Sequence, residues 1–212
     1  MDNGLEILYE NEMYVVLIKP VGVLSESTGS KSVASLLGVD ELYTVHRLDK
    51  DVSGVMVYAK TKAAAAFLSA QMQNGGFSKE YLAVVEGKVE QQGRLVDLLF
   101  HDRNKNKTYV VKRKRGGVKE AALNYETVGV KKTDSGEFSL LKINLETGRT
   151  HQIRVQFASP GFSLFGDRKY GSKCSGNIAL FSHKISFVCP DSNKRVTFEA
   201  LPQNKTPWNL FF

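Results

Sequence analysis

From His46 to Tyr58 the chain reads HRLDKDVSGVMVY, a stretch that indicates a strand preceded by a functional loop. The apolar run Val55 to Tyr58 is typical of a strand, and Ser53-Gly54 before it is typical of a chain reversal. Ahead of the reversal, Asp49 places a carboxylate beside an arginine and an imidazole. Reacting groups are often carried on loops of rigid scaffolds, so Asp49 is a candidate catalytic residue. An aspartate between strands is also a common turn former, and this stretch alone leaves that alternative open.

A second informative stretch, TGRTHQIRV, runs from Thr147 to Val155 after a strand-like apolar pattern. Gly148 is placed to end that strand, and Thr150 is placed to cap a new helix. His151 and Arg154 would then lie three residues apart on one helical face. The pattern predicts a cation fixed on a rigid element. A solvated amphipathic helix is the alternative, and only a carboxylate facing Arg154 would make this a site.

Most of the chain has the periodicity of strands, with few helices. Alternating or short apolar runs predict strands near residues 6–9, 14–19, 43–47, 54–59, 80–86, 94–98, 108–112, 121–130, 138–146, 179–188 and 195–200. Helices are predicted over residues 32–37, 62–73 and 150–158. The sequence shows neither an internal repeat nor a low-complexity linker. These elements predict an α+β fold in which helices pack on a mainly antiparallel sheet.

Composition places the chain among ordinary globular proteins. Its 212 residues are 42% hydrophobic and 24% charged, which is enough to bury a sizeable core. The two cysteines, Cys174 and Cys189, are too few for a disulfide framework and lack zinc-ligand spacing, so we expect no metal. The first residues are acidic, and the early apolar run from Tyr14 to Ile18 is too short for a signal peptide or a membrane span. We therefore expect a cytoplasmic location and no membrane association.

The positive charge is concentrated in one segment. The net charge is +7, and residues 103–119 hold eight of the 29 basic residues and no acidic residue. Within them, Thr108 to Val111 reads as a short strand bounded by basic turns, which predicts a projecting hairpin that can lie along phosphates. A solvated basic face is the alternative. The residues that we expect to contact an RNA backbone are Lys112, Arg113, Lys114 and Arg115.

These motifs together resemble those of RluA-type pseudouridine synthases. The family signature reads His-Arg-Leu-Asp, two variable residues, then Thr-Ser-Gly, and this chain departs from it only at Val52. Lys79-Glu80-Tyr81 fits the family pattern before its base-stacking tyrosine, and Thr147 to Val155 fits its arginine motif, although Gln156 stands where histidine is common. The remaining matches follow the family order: Lys19-Pro20-Val21-Gly22, Gly166-Asp167, Tyr170-Gly171 and Ala179-Leu180, with Phe181 in place of a frequent histidine.

The resemblance implies an isomerase that converts specific uridines of ribosomal or transfer RNA to pseudouridine. It implies a long, bent, mixed sheet with the active cleft across its middle. We expect residues 1–212 to form a single catalytic domain, since no room precedes Glu6 for the accessory RNA-binding domain of some relatives. The reaction is redox-neutral, so we expect no cofactor. We also expect a monomer.

The resemblance also implies a role for each candidate site residue. Asp49 would be the nucleophile, and Arg154 would pair with it and keep it ionised in the cleft. Tyr81 would stack on the extracted uracil, and Leu180 would close the other side of the ring. Arg47 would occupy the position vacated by the flipped nucleoside or hold the flanking phosphate.

Two other functional classes remain open from the residues. A non-catalytic RNA-binding or ribosome-associated protein would carry the same basic segment but would not need Asp49. A carboxylate-dependent nucleosidase would need two carboxylic acids, for which Asp51 and Asp167 are available. The sequence leaves open which RNA and which uridine are modified, and whether Asp49 attacks the ribose or the base.

Overall fold

The computed structural model describes residues 5–26 and 31–212. The prediction that the chain has no signal peptide used residues 1–4, which lie outside this range. The described residues form eleven strands, three α-helices and two short 3-10 helices. The strands are β1 Glu6–Glu10, β2 Tyr14–Lys19, β3 Tyr43–Thr44, β4 Ser53–Ala59, β5 Ser78–Glu86, β6 Gln92–Asp102, β7 Lys107–Val111, β8 Val118–Thr133, β9 Gly136–Leu145, β10 Leu180–Val188 and β11 Arg195–Glu199. The helices are α1 Val33–Leu37, α2 Lys62–Gln73 and α3 Gln152–Ala158, and the 3-10 helices are Arg168–Tyr170 and Trp208–Leu210.

The chain divides into two compact units. The first unit is drawn from Met1–Glu80 and Phe181–Pro202, and the second is drawn from Tyr81–Leu180 and Gln203–Phe212. Strands β5 and β10 each contain residues of both units. The Asp49 motif therefore belongs to the first unit and the Arg154 motif to the second.

The first unit is a mixed sheet covered by α2. Its strands pair in the order β1-β2-β4-β10, with β3 also pairing with β4 and β11 with β10. Helix α2 begins after Thr61, whose side chain accepts a hydrogen bond from the Ala64 amide, and it buries Ala64 and Leu68. These side chains join a core that includes Val55, Val57 and Phe187. The core holds β4, and with it the loop that carries Asp49.

Gly54 permits the parallel pairing of β4 with β10. Ser53 lies beside Phe181 and Gly54 lies beside Ser182, and the Ser182 hydroxyl donates to the Val55 carbonyl at 2.9 Å. The φ of Gly54 is 131°, and a Cβ at this position would collide with the backbone of Ser182. A glycine is therefore required at this position. The chain reversal predicted at Ser53-Gly54 was wrong, because both residues belong to β4 and the turn lies before them, at residues 49–52.

The second unit is a sheet with apolar clusters, and its pairings from β9 through β8 and β6 to β7 are antiparallel. Its strands pair in the order β5-β9-β8-β6-β7, so β7 is an edge strand. One cluster packs the strand residues Leu82 and Phe138 against Trp208 near the C-terminus. Another packs Val155 of α3 and Tyr170 on the sheet. Helix α3 is thus held on this sheet by its buried apolar side chains.

The predicted fold class is confirmed as α+β, with a mixed, mainly antiparallel sheet and few helices. Helix α2 lies at the predicted residues, and each predicted strand is present. The prediction for β3 was wrong beyond Thr44, because residues 45–52 form the loop that precedes β4. That residues 1–212 form one catalytic domain stays a prediction. None of the helices in the described residues is both long enough and apolar enough to span a membrane.

Candidate active site

Asp49 begins a tight turn between β3 and β4. The Val52 amide donates a hydrogen bond to the Asp49 carbonyl oxygen at 3.0 Å. Asp49 is half-buried, whereas Asp51 on the same turn is exposed. The turn therefore carries two carboxylates in different surroundings.

Ser25 fixes the residue before Asp49. Its hydroxyl donates to the Leu48 carbonyl oxygen at 2.8 Å and accepts from the Leu48 amide at 3.0 Å. Both Ser25 and Leu48 are buried. One side chain thus satisfies both backbone groups of Leu48, which restrains the loop without a regular strand.

Lys19, at the end of β2, holds the other side of the turn. Its buried ammonium donates to the carbonyl oxygens of Val23 at 2.8 Å, Pro20 at 3.0 Å and Lys50 at 3.3 Å. The Lys50 carbonyl also accepts from the Gly22 amide at 2.8 Å. The backbone on the carboxyl side of Asp49 is therefore tied to the segment that follows β2.

The carboxylates of this turn interact with the buried Lys19 ammonium. Burial lowers the pKa of Lys19 to about 8, and the negative charges of Asp49 and Asp51 oppose that lowering. A pKa of about 8 leaves Lys19 charged at neutral pH. The Asp49 turn therefore lies next to a buried cation. The sequence did not indicate this role of Lys19, because a lysine at a strand end usually reaches solvent. Lys19 was noted there only as part of the Lys19-Pro20-Val21-Gly22 match.

His46 supports the loop as a neutral side chain. Its Nε2 accepts a hydrogen bond from the Val57 amide at 3.2 Å, and its ring lies 5.4 Å from that of Phe77. Burial lowers the pKa of His46 well below 6.5, and the charge of Lys79 lowers it further. The imidazole is therefore uncharged at neutral pH and positions the loop against β4.

Arg47 is exposed and forms an ion pair with Glu26. The distance from its Nη1 to Glu26 Oε1 is 2.8 Å, and both side chains are largely in solvent. An exposed pair of this kind contributes about 0–1 kcal/mol, so it restrains Arg47 only weakly. Its predicted contact with RNA stays a prediction.

Arg154 is buried in the second unit with Asp167. Its Nε donates to Asp167 Oδ2 at 2.6 Å and its Nη2 donates to Asp167 Oδ1 at 2.9 Å. Its guanidinium carbon also lies 5.2 Å from the centre of the Tyr170 ring. This two-bond contact fixes the plane of the guanidinium. The predicted pairing of Arg154 with Asp49, which belongs to the other unit, stays a prediction.

The prediction for the start of α3 was wrong in its capping. His151, not Thr150, occupies the cap position, with a left-handed φ of 54° and no side-chain cap bond. The Thr150 carbonyl accepts from the Thr108 hydroxyl at 2.8 Å, and His151 Nδ1 lies 2.9 Å from the Tyr170 hydroxyl. His151 therefore precedes the helix and does not share a helical face with Arg154.

Gln152 braces the same motif, a role that the sequence did not reveal. Its Oε1 accepts from the Thr147 hydroxyl at 2.8 Å and from the Arg149 amide at 3.0 Å, and its Nε2 donates to the Ala122 carbonyl at 3.1 Å. The side chain links the first turn of α3 to the preceding loop and to β8. Arg154, two residues further on, is thus carried on a restrained helix.

Tyr81 and Leu180 lie on strands of the second unit. Tyr81 is in β5 and is 5% exposed, and Leu180 begins β10 and is 6% exposed. Both side chains are therefore restrained by packing. Their predicted contacts with a uracil ring stay predictions.

The predicted strand between two basic turns is β7, which pairs with β6. The turn at residues 103–106 joins them, and Asp102 accepts from the Lys105 amide at 3.1 Å. The second basic turn, at residues 112–117, leads into β8, and all of its side chains are exposed. Arg115 lies 5.0 Å from the centre of the Phe100 ring. We call residues 103–119, which include β7, the basic hairpin.

The three departures from the family pattern are accommodated in the interior. Val52 and Phe181 are buried apolar residues. The Gln156 amide nitrogen donates to Asp97 Oδ2 at 2.8 Å, which ties α3 to β6. Across residues 5–26 and 31–212, the structure places no group of three or more His, Cys, Asp or Glu side chains where they could hold a metal ion.

Comparisons with known proteins agree with these motifs. A family model described as RNA pseudouridylate synthase matches residues 13–159. A protein of Zymomonas mobilis named ribosomal large subunit pseudouridine synthase D is 33% identical, over 96% of this chain and 71% of its own. An uncharacterized RNA pseudouridine synthase of Aquifex aeolicus is 38% identical, over 92% of this chain and 68% of its own.

The fold also resembles solved structures. Human RNA pseudouridylate synthase domain containing 1 superposes with a TM-score of 0.82 at 18% identity, over 98% of this chain and 87% of its own. Human RNA pseudouridylate synthase domain containing 4 superposes with a TM-score of 0.76 at 20% identity, over 93% of this chain and 89% of its own. At these identities the similarity shows the fold alone.

Proposed function

Because the chain belongs to the RNA pseudouridine synthase family, whose members are isomerases, we propose that Asp49 is the nucleophile with which it isomerises uridines of ribosomal or transfer RNA. The observation that carries this proposal is the environment of the Asp49 turn. Ser25 and Lys19 restrain its backbone on both sides, and the Lys19 ammonium interacts with the Asp49 carboxylate. A restrained carboxylate on a loop, close to a cation, suits nucleophilic catalysis.

The reaction needs no group beyond those of the protein and the RNA. The bond between uracil N1 and ribose C1′ breaks, the ring turns, and a bond forms between C5 and C1′. The C5 hydrogen is lost as a proton and N1 gains a proton, so the composition of the nucleoside is unchanged. Asp49 supplies the nucleophile and leaves again as a carboxylate, whichever carbon it attacks.

The other site residues bind and position the base. Arg154, held in one plane by Asp167, pairs with Asp49 and offsets the cost of enclosing its charge. Tyr81 stacks on the flipped uracil and Leu180 covers its other face, since both are held on strands by packing. Arg47, exposed on the Asp49 loop, contacts the strand from which the nucleoside has been extracted.

The substrate class is supported by charge and by similarity. Residues 112–115 of the basic hairpin are four exposed cations in sequence, an arrangement suited to RNA phosphates. The name of the Zymomonas relative favours ribosomal RNA of the large subunit. We propose that the protein works as a monomer in the cytoplasm. Light scattering of the purified protein tests whether it is a monomer.

The two alternative functions are less well supported. A binding protein has no use for a carboxylate restrained beside a buried lysine. A nucleosidase needs a second acid, and Asp167 is committed to Arg154 while Asp51 is exposed. The products separate the classes, because a synthase keeps uracil attached, a nucleosidase releases it and a binding protein leaves uridine unchanged.

The deciding experiment compares Asp49→Asn with Asp51→Asn on ribosomal and transfer RNA transcripts carrying tritium at uridine C5. Asp49→Asn keeps the side-chain shape but removes the nucleophilic charge. We expect its tritium release to fall to less than about a hundredth of the parental rate. RNA affinity should stay within about threefold, since phosphate contacts dominate binding.

Asp51→Asn is the matched control, because it removes the same charge from the same turn. We expect near-parental turnover from it. Substantial turnover by Asp49→Asn, or equal losses in the two variants, would rule out Asp49 as the nucleophile. Free uracil among the products would instead support the nucleosidase alternative.

A further inference from the structure

Tyr170 lies between the Arg154 helix and the basic hairpin. It ends the 3-10 helix three residues after Asp167, the partner of Arg154. The Arg154 guanidinium carbon lies 5.2 Å from the centre of its ring, and the Lys107 ammonium lies 5.3 Å from the same point. One ring therefore contacts a cation from each element.

The Tyr170 hydroxyl links the same two elements by hydrogen bonds. It accepts from the Thr108 amide of β7 at 2.8 Å and lies 2.9 Å from His151 Nδ1. Burial raises the pKa of Tyr170, so the hydroxyl keeps its proton at neutral pH. The Thr108 amide can only donate, so the hydroxyl accepts from β7, and it shares a second hydrogen bond with His151 Nδ1 in which either atom can be the donor. The hydroxyl thus connects β7 to His151, the residue at the start of α3.

Thr108 makes a second connection between the hairpin and α3. Its hydroxyl donates to the Thr150 carbonyl at 2.8 Å and therefore accepts from His101 Nδ1, 3.0 Å away. Thr108 is only 1% exposed although β7 is an edge strand. The outer edge of β7 is thus bonded to the turn that starts α3.

We propose that Tyr170 is a positioning residue that couples RNA bound on the basic hairpin to Arg154. RNA held by the hairpin cations fixes β7, and the Thr108–Tyr170–His151 bonds transmit this restraint to the turn before α3. The proposal rests on the proposed function, because it assigns Arg154 to the reaction. It goes beyond that function by making the hairpin contribute to turnover as well as to affinity.

A purely structural role for Tyr170 leads to a different expectation. Strand β7 is already paired with β6 along its length. If that pairing alone positioned the hairpin, loss of one hydroxyl would change stability slightly and leave turnover intact. The distinction therefore lies in the rate at saturating RNA.

Tyr170→Phe keeps the ring and its cation contacts and removes only the hydroxyl. We expect kcat at saturating RNA to fall about tenfold, with RNA affinity within twofold of the parent, as for loss of an interaction that serves the bond-making step. Thr108→Val should act similarly, and the double variant should be no worse than about the poorer single variant, because both break one network. Parental kcat in Tyr170→Phe, or a double loss equal to the product of the single losses, would overturn the proposal.

Tyr125→Phe is the matched control. Tyr125 packs edge-on against Phe157 of α3 with ring centres 5.3 Å apart, so the variant also removes a tyrosine hydroxyl beside this helix. We expect parental kcat from it. An equal loss in Tyr125→Phe would show a general sensitivity of α3 and would also overturn the proposal.

Hydrogen exchange gives a readout that does not need turnover. RNA should slow amide exchange in residues 107–111 and 152–158 of the parent, and in Tyr170→Phe it should slow only the first of these. Equal protection of both segments in the two proteins would overturn the coupling. A parent that binds RNA but forms no pseudouridine would defeat the proposed function, and the exchange result would still decide the coupling.

Discussion

Two arginines form the same two-bond contact with a carboxylate in opposite surroundings. Arg154 and Asp167 are both buried, whereas Arg94 donates to Glu146 at 2.8 and 2.7 Å on the surface. The Arg94 pair is solvated and contributes little to stability. Removing one partner of the buried pair leaves a charge without compensation, which costs about 3–5 kcal/mol.

Substitution of Arg154 should therefore affect both activity and stability. We expect Arg154→Lys to lose most activity, because lysine lacks the planar fork that Asp167 and the reaction use. Arg154→Met should lose activity and about 3 kcal/mol of unfolding free energy. Adding Asp167→Asn to Arg154→Met should recover much of that stability and none of the activity. Urea unfolding and tritium release measure the two effects.

Arg94→Met is the control for this series. It should change the free energy of unfolding by less than about 1 kcal/mol and leave turnover intact. Near-parental activity of both Arg154 variants would show that Arg154 only supports the fold.

Lys19 should make stability depend on alkaline pH. Its folded pKa of about 8 lies below the ordinary value of 10.5, so between these values the unfolded chain holds a proton that the folded chain lacks. Stability therefore rises with pH across this window, and the cost of burying the charge is fully present below pH 8. The difference in unfolding free energy between the parent and Lys19→Met should shift in favour of the parent by up to about 3 kcal/mol from pH 8 to 10.5.

Urea unfolding of both proteins at several pH values measures this difference and cancels other groups that titrate there. A difference that is constant with pH would mean that Lys19 keeps an ordinary pKa. Near pH 10.5, where folded Lys19 is uncharged, the variant should be the less stable protein, since the carbonyls of Pro20, Val23 and Lys50 lose a donor.

The sequence identified Asp49 and Arg154 as candidates but missed much of what holds them. Asp167 lies 13 residues beyond Arg154, and no periodicity relates residues that a loop brings together. Thr150 has the chemistry of a cap, yet its carbonyl bonds Thr108 and His151 takes the cap position. Tertiary contacts such as these override local preference, which is why capping by Thr150 could not be judged from the sequence.

At the scale of elements, the basic hairpin should supply affinity in a salt-dependent manner. We predict that changing residues 112–115 to glutamine weakens RNA binding strongly at low salt. The log-log dependence of affinity on salt should flatten by about 0.7–0.9 for each phosphate interaction that the substitutions remove. The rate at saturating RNA should stay close to parental, because Arg103, Lys105 and Lys107 remain beside β7 to hold bound RNA against it. Filter binding across a salt series measures the slopes.

A control variant removes the same net charge from other exposed sites. Its four substitutions to glutamine are at Lys131, Lys132, Lys194 and Lys205. We expect a smaller loss of affinity and nearly the parental slope. Unchanged affinity and slope in the hairpin variant would show that this segment is only a solvated basic surface. The RNA contacts would then lie nearer Arg47 and Lys79.

The elements themselves were predicted well because their apolar patterns are regular. Helix α2 was predicted at its observed bounds, and β2 also matches. Strands β6 and β8 run further than predicted, to Gln92–Asp102 and Val118–Thr133, because their ends pair with each other and with neighbours outside the apolar core. Backbone pairing of polar residues leaves no hydrophobic signal in the sequence.

For the molecule as a whole, the sequence indicated the fold class but not the division into two units. The first unit takes its strands from both ends of the chain, whereas the second is nearly continuous. Apolar periodicity identifies strands and says nothing about which strands pair. The parallel neighbour of β4 comes from β10, a pairing that depends on the close approach at Gly54.

That pairing has a consequence for folding during synthesis on the ribosome. The bond from Ser182 to Val55 spans 127 residues, which a ribosome adding about 5–20 residues per second makes in roughly 6–25 s. During this interval the edge of β4 that pairs with β10 stays unpaired, while most of the second unit is being synthesised. The sheet that carries Asp49 is therefore completed late in translation. Until then the unpaired edge of β4 is open to binding by a chaperone that shields strand edges.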